Sequence, residues 1–501
     1  MSPYRIETAP LLKALPPLMA GIVTSDLSSI PAWSWLIGLI VCGTMAWFGR
    51  THKLALLYLA GALFFFGALD ATLMAPRSEI PHEETVRLEM EIGSVPVIRT
   101  SGYGATDAVI GHWKTQNGVW KESREKLLVS FDTLLPLRIG ERLVCETKVR
   151  PVADSANGYA RLMQRRGYTG RIFLSPQTPI VHSLGEARTI GTFARKLQHA
   201  AANRLAELSL SSDDLAVATA MALGEKRAMD SDLKEAYARA GASHLLAVSG
   251  LHVGMVFLLI NGLLWLLPAA RRGHIAKNIL AILAIWFYTF LAGASPSVIR
   301  AACMFSALQI ALATSAARNS LNILCGTAII MLAIRPNYLY DISFQLSFLA
   351  VAAILLWFPP LYSRLECRWR VLNALWGTLL IGIVASLATA PLAAYQFGRF
   401  SLLGIVINPA VVLTAYLTVI EALLWLILPL PFLKPLFSTL IGWSVGWQNR
   451  IVTLTAALPE SAIDLRLSTV AVWSIYTLYL LLTLWLLARP TRRPPISFPR
   501  A

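Results

Sequence analysis

In the stretch HLLAVSGLHVGMVFLLI, residues 244–260, Ser249 and His252 stand three positions apart inside an otherwise apolar run. On one helix face a hydroxyl and an imidazole can hydrogen-bond each other or a neighbouring helix. The pair also invites comparison with intramembrane serine proteases. Such enzymes need a base on a second element and oxyanion donors. Here AVSG lacks the first glycine of their nucleophile motif, and His252 shares the segment of Ser249. Two architectures fit. In one, Ala247, Gly250 and Gly254 line a continuous helix face along which a second backbone approaches closely. In the other the helix breaks at Ser249 and Gly250, leaving amide donors at a positive helix end.

More polar groups recur in apolar surroundings further along. GASPSVIRA, residues 293–301, places Ser297 and Arg300 just after Pro296; YDISFQLSFLA, residues 340–350, adds Asp341, Gln345 and Ser347. Residues 385–409 contribute Thr389, Pro391, Gln396, Asn408 and Pro409. An arginine within a membrane span costs at least about 2.5 kcal/mol on insertion scales. It therefore faces water, an acid or a phosphate, unless it snorkels to the outer end. Prolines at depth free carbonyls, which is tolerable only against protein or water. The reading is a bundle with a polar interior.

Such residues need membrane helices to hold them. The chain has 501 residues, is 56% hydrophobic and 14% charged, with a mean hydropathy of +0.58, which is too apolar for a soluble protein of this size. Apolar runs long enough to cross a bilayer are read at 10–25, 33–49, 53–74, 245–268, 276–292, 297–316, 321–334, 341–358, 371–392, 402–428, 435–456 and 468–488. The first is kept as an anchor because MAGIVTSD is a poor cleavage site. Basic loops at 49–53, 271–277 and 363–370, the tail 489–500, Arg318 and Lys434 all fall on one side if the segments alternate. That side is expected to be the cytoplasm, with Arg335, Arg399 and Arg466 opposite.

The expected domains are membrane helices at 1–75, an outer polar domain at 76–190, amphipathic connecting helices at 191–242 lying along the outer membrane face, a channel-like bundle at 243–490 and a basic tail at 491–501. The outer block alternates in short runs, TVRLEMEIGSV, ATDAVIGHW, EKLLVSFD, ERLVCETKVRP and GRIFLS. Five short strands with glycine turns predict a small β-barrel of the oligonucleotide-binding type. The predicted fold is thus a polytopic α-helical membrane protein of 11–12 spans with an inserted extracytoplasmic barrel.

Residues 76–200 hold 18 Lys or Arg against 13 Asp or Glu, and these cations are interspersed with Trp113, Trp120, Tyr103 and Tyr159. Single-stranded nucleic acid needs cations for phosphates and flat faces for bases. Trp113, Lys114, Trp120, Lys121, Arg161, Arg165 and Arg166 are the candidates. A charged barrel surface over core aromatics fits the same composition. The net charge of +16 suits an anionic partner, although basic loops supply part of it.

No catalytic or metal site is expected. The eight histidines are scattered, and no HExxH, CxxC or GxxxxGK[ST] string occurs. Cys145 is the one cysteine of the outer block, which excludes a disulfide within it.

MALGEKRAMDSDLKEAYARAGASHLLAVSGLHVGMV, GASPSVIRAACM, NSLNILCGTAIIMLAIRPNYLYDISFQLSFLAVAAI and ATAPLAAYQFGRFSLLGIVINP resemble, in order, the successive signatures of ComEC-type competence proteins. NGYARLMQRRGYTG, residues 157–170, is similar to the end of that family's extracytoplasmic domain. The resemblance runs over nearly the whole chain. It implies an inner-membrane channel for single-stranded DNA in natural transformation, with no cofactor and with the outer domain receiving DNA. His244, Ser249, Gly250, Leu251 and His252 match the first signature, Ser297 and Arg300 the second, Gln345 and Ser347 the third, and Pro391 and Asn408 the fourth. With Thr389 these are read as the DNA path.

Many members of that family carry a metallo-β-lactamase-like domain, and none is read through residue 501. The implied partners are therefore a separate nuclease, an extracytoplasmic DNA receptor and a cytoplasmic helicase or single-strand-binding protein; a homodimer is compatible with the pattern. A transporter of another anionic polymer or small solute, and a scaffold of a larger uptake machine, are the competing readings.

Overall fold

The computed structural model describes residues 9–488 apart from 50–53, 77, 95, 99–101, 117, 136, 153–157, 187–189, 227–228, 247, 267–273, 314–318, 365–368, 402 and 459–462. The basic loops and tail that set the expected orientation lie largely outside these residues. The chain divides into two compact units, one of Met1–Pro16, Ala194–Ile334 and Asp341–Ala501, the other of Pro17–Phe193 and Arg335–Tyr340.

The second unit holds most of α1 (Pro10–Leu27), then α2 (Ala32–Phe48) and α3 (Ala55–Leu73). A Cβ on Gly21 would overlap the Phe64 carbonyl, and one on Gly67 would overlap that of Leu18. Those two glycines let α1 and α3 meet backbone to backbone. Trp35 of α2 packs against Phe64 and Phe65, with ring centroids 6.3 and 6.2 Å away.

The same unit carries one sheet: β1 (Thr85–Ile92), β2 (Val97–Ile98), β3 (Tyr103–Thr115), β4 (Lys121–Glu122), β5 (Lys126–Asp132), β6 (Glu141–Lys148), β7 (Tyr168–Leu174) and β8 (Ile180–Glu186), with α4 (Gly158–Arg165) before β7. All five predicted strands form. Val86, Leu88, Met90 and Ile92 alternate into the core, as a strand period of two dictates. The strand order is β7-β5-β3-β1-β6-β8, with β2 and β4 on β3. β5 and β7 run parallel and the other pairings are antiparallel. The path is open at β7 and β8, although Arg150 after β6 bridges Arg171 on β7. The observed element is a small sheet with three strands, β2, β4 and β8, that the sequence did not predict.

The first unit contains α5 (Ile190–Ala206), most of which lies within it, α6 (Ser212–Leu223), α7 (Ser231–Arg239), α8 (Gly250–Leu266), α9 (His274–Leu291), α10 (Pro296–Ala313), α11 (Ser320–Ile334), α12 (Ile342–Tyr362), α13 (Arg370–Phe397), α14 (Leu403–Ile427), α15 (Lys434–Ala457) and α16 (Thr469–Ala488). A helix covers most of every predicted apolar run. Among the described residues, four helical stretches are long and apolar enough to cross a membrane: Ala55–Leu73, Ile342–Tyr362, Leu375–Phe397 and Leu403–Ile427. With the shorter apolar helices, they make this a membrane protein.

Two expectations change. The run 245–268 does not start as a helix, because α8 begins only at Gly250. And α6 is no surface helix: every residue from Ala216 to Leu223 is buried. AVATAMAL is apolar or small all round, so it belongs inside a bundle, where α6 packs on α14 and α15. Its ends are defined chemically. The Asp214 amide donates to Ser211 at 3.1 Å, and Gly224 closes the helix at φ +76.

Candidate functional site

Residues 242–246, 248 and 249 are non-helical before α8. Gly241 starts this segment at φ +74, where a Cβ would also lie 2.8 Å from that of Ser401. Leu245, Leu246 and Val248 anchor the segment in the core, and the His244 ring lies 3.2 Å from the Gly241 carbonyl.

At the helix start, the Ser249 amide donates to Nδ1 of His252 at 3.2 Å, and the Ser249 hydroxyl lies 3.0 Å from the same nitrogen. This is the backbone half of a capping box, with histidine at the third helical position where Glu or Gln usually stands. Since Nδ1 accepts an N–H, it carries no proton, and the neutral ring bears its hydrogen on Nε2. His252 is 0% exposed, and its Nε2 has no hydrogen-bond partner among the described residues. The break at Ser249 and Gly250 is therefore the arrangement adopted.

The start of α10 meets this segment. Ser297 donates to the Val248 carbonyl at 2.7 Å, and its hydroxyl lies 3.1 Å from that of Ser295. Further along, a Cβ on Gly254 would lie 3.1 Å from the Phe305 ring, and one on Gly250 3.7 Å from Ala301. Small residues thus bring α8 onto α10. Ala247, assigned to the same face, lies outside the described residues.

Arg300 is buried, not snorkelling: it is 2% exposed, with Nη1 3.9 Å from Oδ1 of Asp341. Asp341 caps α12 by accepting from the Phe344 amide at 2.9 Å. Gln345 and Ser347 follow, half-buried, on the first turns of α12. Ser249, His252 and Ser297 thus form one cluster and Arg300 with Asp341 another, all within one unit. Asn408 lies on α14 with a buried Oδ1 that lacks a partner among the described residues.

Thr389 and Pro391 have local explanations. Thr389 donates back to Ala385 at 2.8 Å. Pro391 has no N–H for the Leu387 carbonyl one turn earlier. Tyr479 of α16 donates to that carbonyl instead, at 3.2 Å, and Tyr476 donates to Ala388 at 3.1 Å. The proline is thus a joint between α13 and α16.

On the sheet, Trp113 is 5% exposed and belongs to the core, which removes its face from any base-stacking role. Lys121 lies 5.1 Å from its ring centroid. Trp120 is 41% exposed, with Lys114 5.2 Å from its centroid. Arg165 pairs with Asp26 at 2.6 Å and stacks on Tyr340 at 3.8 Å. Burial pushes the Tyr340 hydroxyl up to about 12. These three residues border a cavity of about 890 Å³ between the ends of α1, α3 and α4. Arg166 is exposed, and its carbonyl accepts from Arg335 at 3.0 Å. The Arg161 and Tyr159 side chains lie outside the described residues.

Sequence reading missed two features. Phe173 is 48% exposed beside the 50% exposed Tyr103, with centroids 5.7 Å apart; alternation along β7 already placed Phe173 opposite the buried Ile172 and Leu174. Glu421 was also passed over, although a lone acid in an apolar run is itself a signal.

A family model described as Competence protein matches residues 221–492. That is more than half of the chain and includes the cluster around His252, but not the sheet. ComE operon protein 3 of Bacillus subtilis (strain 168) is 27% identical over 245 residues, 48% of this chain and 30% of that protein. An uncharacterized protein of Aquifex aeolicus (strain VF5) is 31% identical over 196 residues, 39% of this chain and 43% of that protein. The matches thus span less than half the length of either relative. No solved structure matches the chain.

Proposed function

The chain belongs to the competence protein family, and on that premise we propose that it is an inner-membrane channel importing single-stranded DNA during natural transformation. The observation that carries this reading is the buried Nε2–H of His252, held at a helix start by Ser249. A donor there meets its hydrogen-bonding requirement when the segment opens onto a phosphate oxygen. Arg300 is partnered by Asp341, so a passing phosphate would compete with that carboxylate.

In this reading the sheet is an oligonucleotide-binding domain outside the membrane. Its order, with β5 and β7 parallel, is compatible with a partly open five-stranded barrel. Lys114, Trp120 and Lys121 would contact the strand by charge and stacking, with Tyr103 and Phe173 as a second aromatic surface. The chain moves DNA without covalent chemistry. The C-terminus is cytoplasmic, and a receptor, a nuclease and a helicase or single-strand-binding protein act with it, with or without a second copy.

The test is deletion of the gene and transformation with linear, marked chromosomal DNA. Wild type and a Ser249→Val, His252→Leu variant are compared in complementation at matched membrane levels. Restoration by wild type alone supports the conduit. Equal restoration by the variant overturns the role of the motif, and undiminished transformation in the deletion strain overturns the channel reading.

A further inference from the structure

Of the four long apolar stretches, the one on α14 has the highest mean hydropathy, 2.2, yet it contains Glu421. Thr414, Thr418 and Glu421 recur at i, i+4 and i+7, so they share a face. Thr414 and Thr418 bond to α15, and so does Glu421. The Ser444 hydroxyl donates to Oε2 of Glu421 at 2.9 Å. It lies 2.9 Å from the Thr418 hydroxyl and 3.1 Å from the carbonyl of Ile441. Ser444 and Thr418 are both 0% exposed, so water does not take over their hydrogen bonds.

The single Ser444 proton therefore has three acceptors in reach: the Glu421 carboxylate, the Thr418 hydroxyl oxygen and the Ile441 carbonyl. With Glu421 ionised, Ser444 donates to the carboxylate. With Glu421 protonated, the new O–H donates to Ser444 Oγ, and the Ser444 proton turns to the Ile441 carbonyl. The only bond formed is the Glu421 O–H, with the proton taken from water. Both states leave the buried hydroxyls satisfied, so neither incurs the penalty of an orphaned polar group. An amide would serve a purely structural contact, whereas this site accommodates two protonation states.

A second chain of hydrogen bonds begins about one helical turn further along α15. Gln448 donates to Tyr237 at 3.0 Å, Tyr237 to Asn449 at 2.8 Å and Asn449 to Asp214 at 3.0 Å. Every donor points toward Asp214, which also accepts from Ser211 at 2.7 Å. Asp214 is thus where that chain of hydrogen bonds ends, accepting from both Asn449 and Ser211. The titratable and charged groups on the helices packed against α14 are Asp213 and Asp214 on α6, His252 on α8, Arg370 and Tyr395 on α13, and Lys434 and Arg450 on α15. The group bonded to Glu421 is the Ser444 hydroxyl.

We propose that Glu421 is a proton-binding site of the membrane bundle, taking up and releasing one proton while Ser444 switches acceptor. This does not depend on DNA being the cargo. The test is infrared difference spectroscopy of the full chain in lipid vesicles, acidic against alkaline buffer. The expected result is a protonated-carboxyl C=O band that is lost in Glu421→Gln and shifted in Ser444→Ala, which removes its hydrogen bond. If Glu421→Gln does not assemble, Glu421→Asp must move the band. A wild-type spectrum lacking the band, or a band unchanged in the Glu421 variant, overturns the proposal whatever the transformation assay shows.

Discussion

The Ser249 amide donates to Nδ1 of His252 at 3.2 Å, so the imidazole completes the start of α8 and holds its proton on the far nitrogen. Cap and donor are two functions of one ring, and substitution can separate them. In His252→Glu the carboxylate keeps the cap but replaces a donor with an acceptor. Thermal stability in detergent should stay near wild type while transformation falls at least tenfold. His252→Ala should lose both, with about 1 kcal/mol of stability lost. Wild-type transformation by His252→Glu at matched levels, with a loss only in His252→Ala, would mean that capping is the whole role.

Tyr479 and Pro391 should be coupled. Tyr479→Phe leaves the Leu387 carbonyl without its donor and should cost about 1 kcal/mol. Pro391→Ala restores an N–H one turn along, so in that background the tyrosine hydroxyl should matter less. A double-mutant cycle on thermal unfolding should show an interaction of roughly 0.5 kcal/mol or more; strict additivity would refute the joint.

Arg165 and the hairpin lysines should differ in salt dependence. Arg165→Ala breaks the pair with Asp26 and the stack on Tyr340, yet it should leave the salt slope of single-strand binding by the full chain unchanged. Lys114→Ala and Lys121→Ala should each lower the slope by about 0.7. The measurement is DNA affinity in nanodiscs across a salt series.

Cys145 is 0% exposed in the sheet core, and burial pushes its thiol up from 9.0 to about 12. The native state therefore keeps a proton that the unfolded chain releases above pH 9.0, so this group's contribution to stability is present below that pH and is lost as pH rises toward 12. In a variant whose other four cysteines are replaced, a maleimide should label Cys145 only after denaturation. Rapid labelling of the native chain at pH 8 would contradict the packing.

Much of this architecture was legible in the chain. Apolar runs marked the helices, because 3.6-residue periodicity and hydropathy are local properties. Alternation marked the five main strands for the same reason, and the HLLAVSGLHV string located the cluster that folds around Ser249. Local pattern did not distinguish a continuous helix from one that begins at Gly250, since both present the same residue types. Partner choice was equally hidden. Arg165 reads as a surface cation until the fold brings it to Asp26, 139 positions away. Trp113 reads as a stacking face until the sheet closes over it. Glu421 is an anomaly in an apolar helix until Ser444 arrives from α15. Composition and period determined which segments become helix or strand and which enter the membrane. Tertiary packing alone decided which polar atoms meet, because a buried hydrogen bond depends on a few tenths of an ångström between residues distant in sequence.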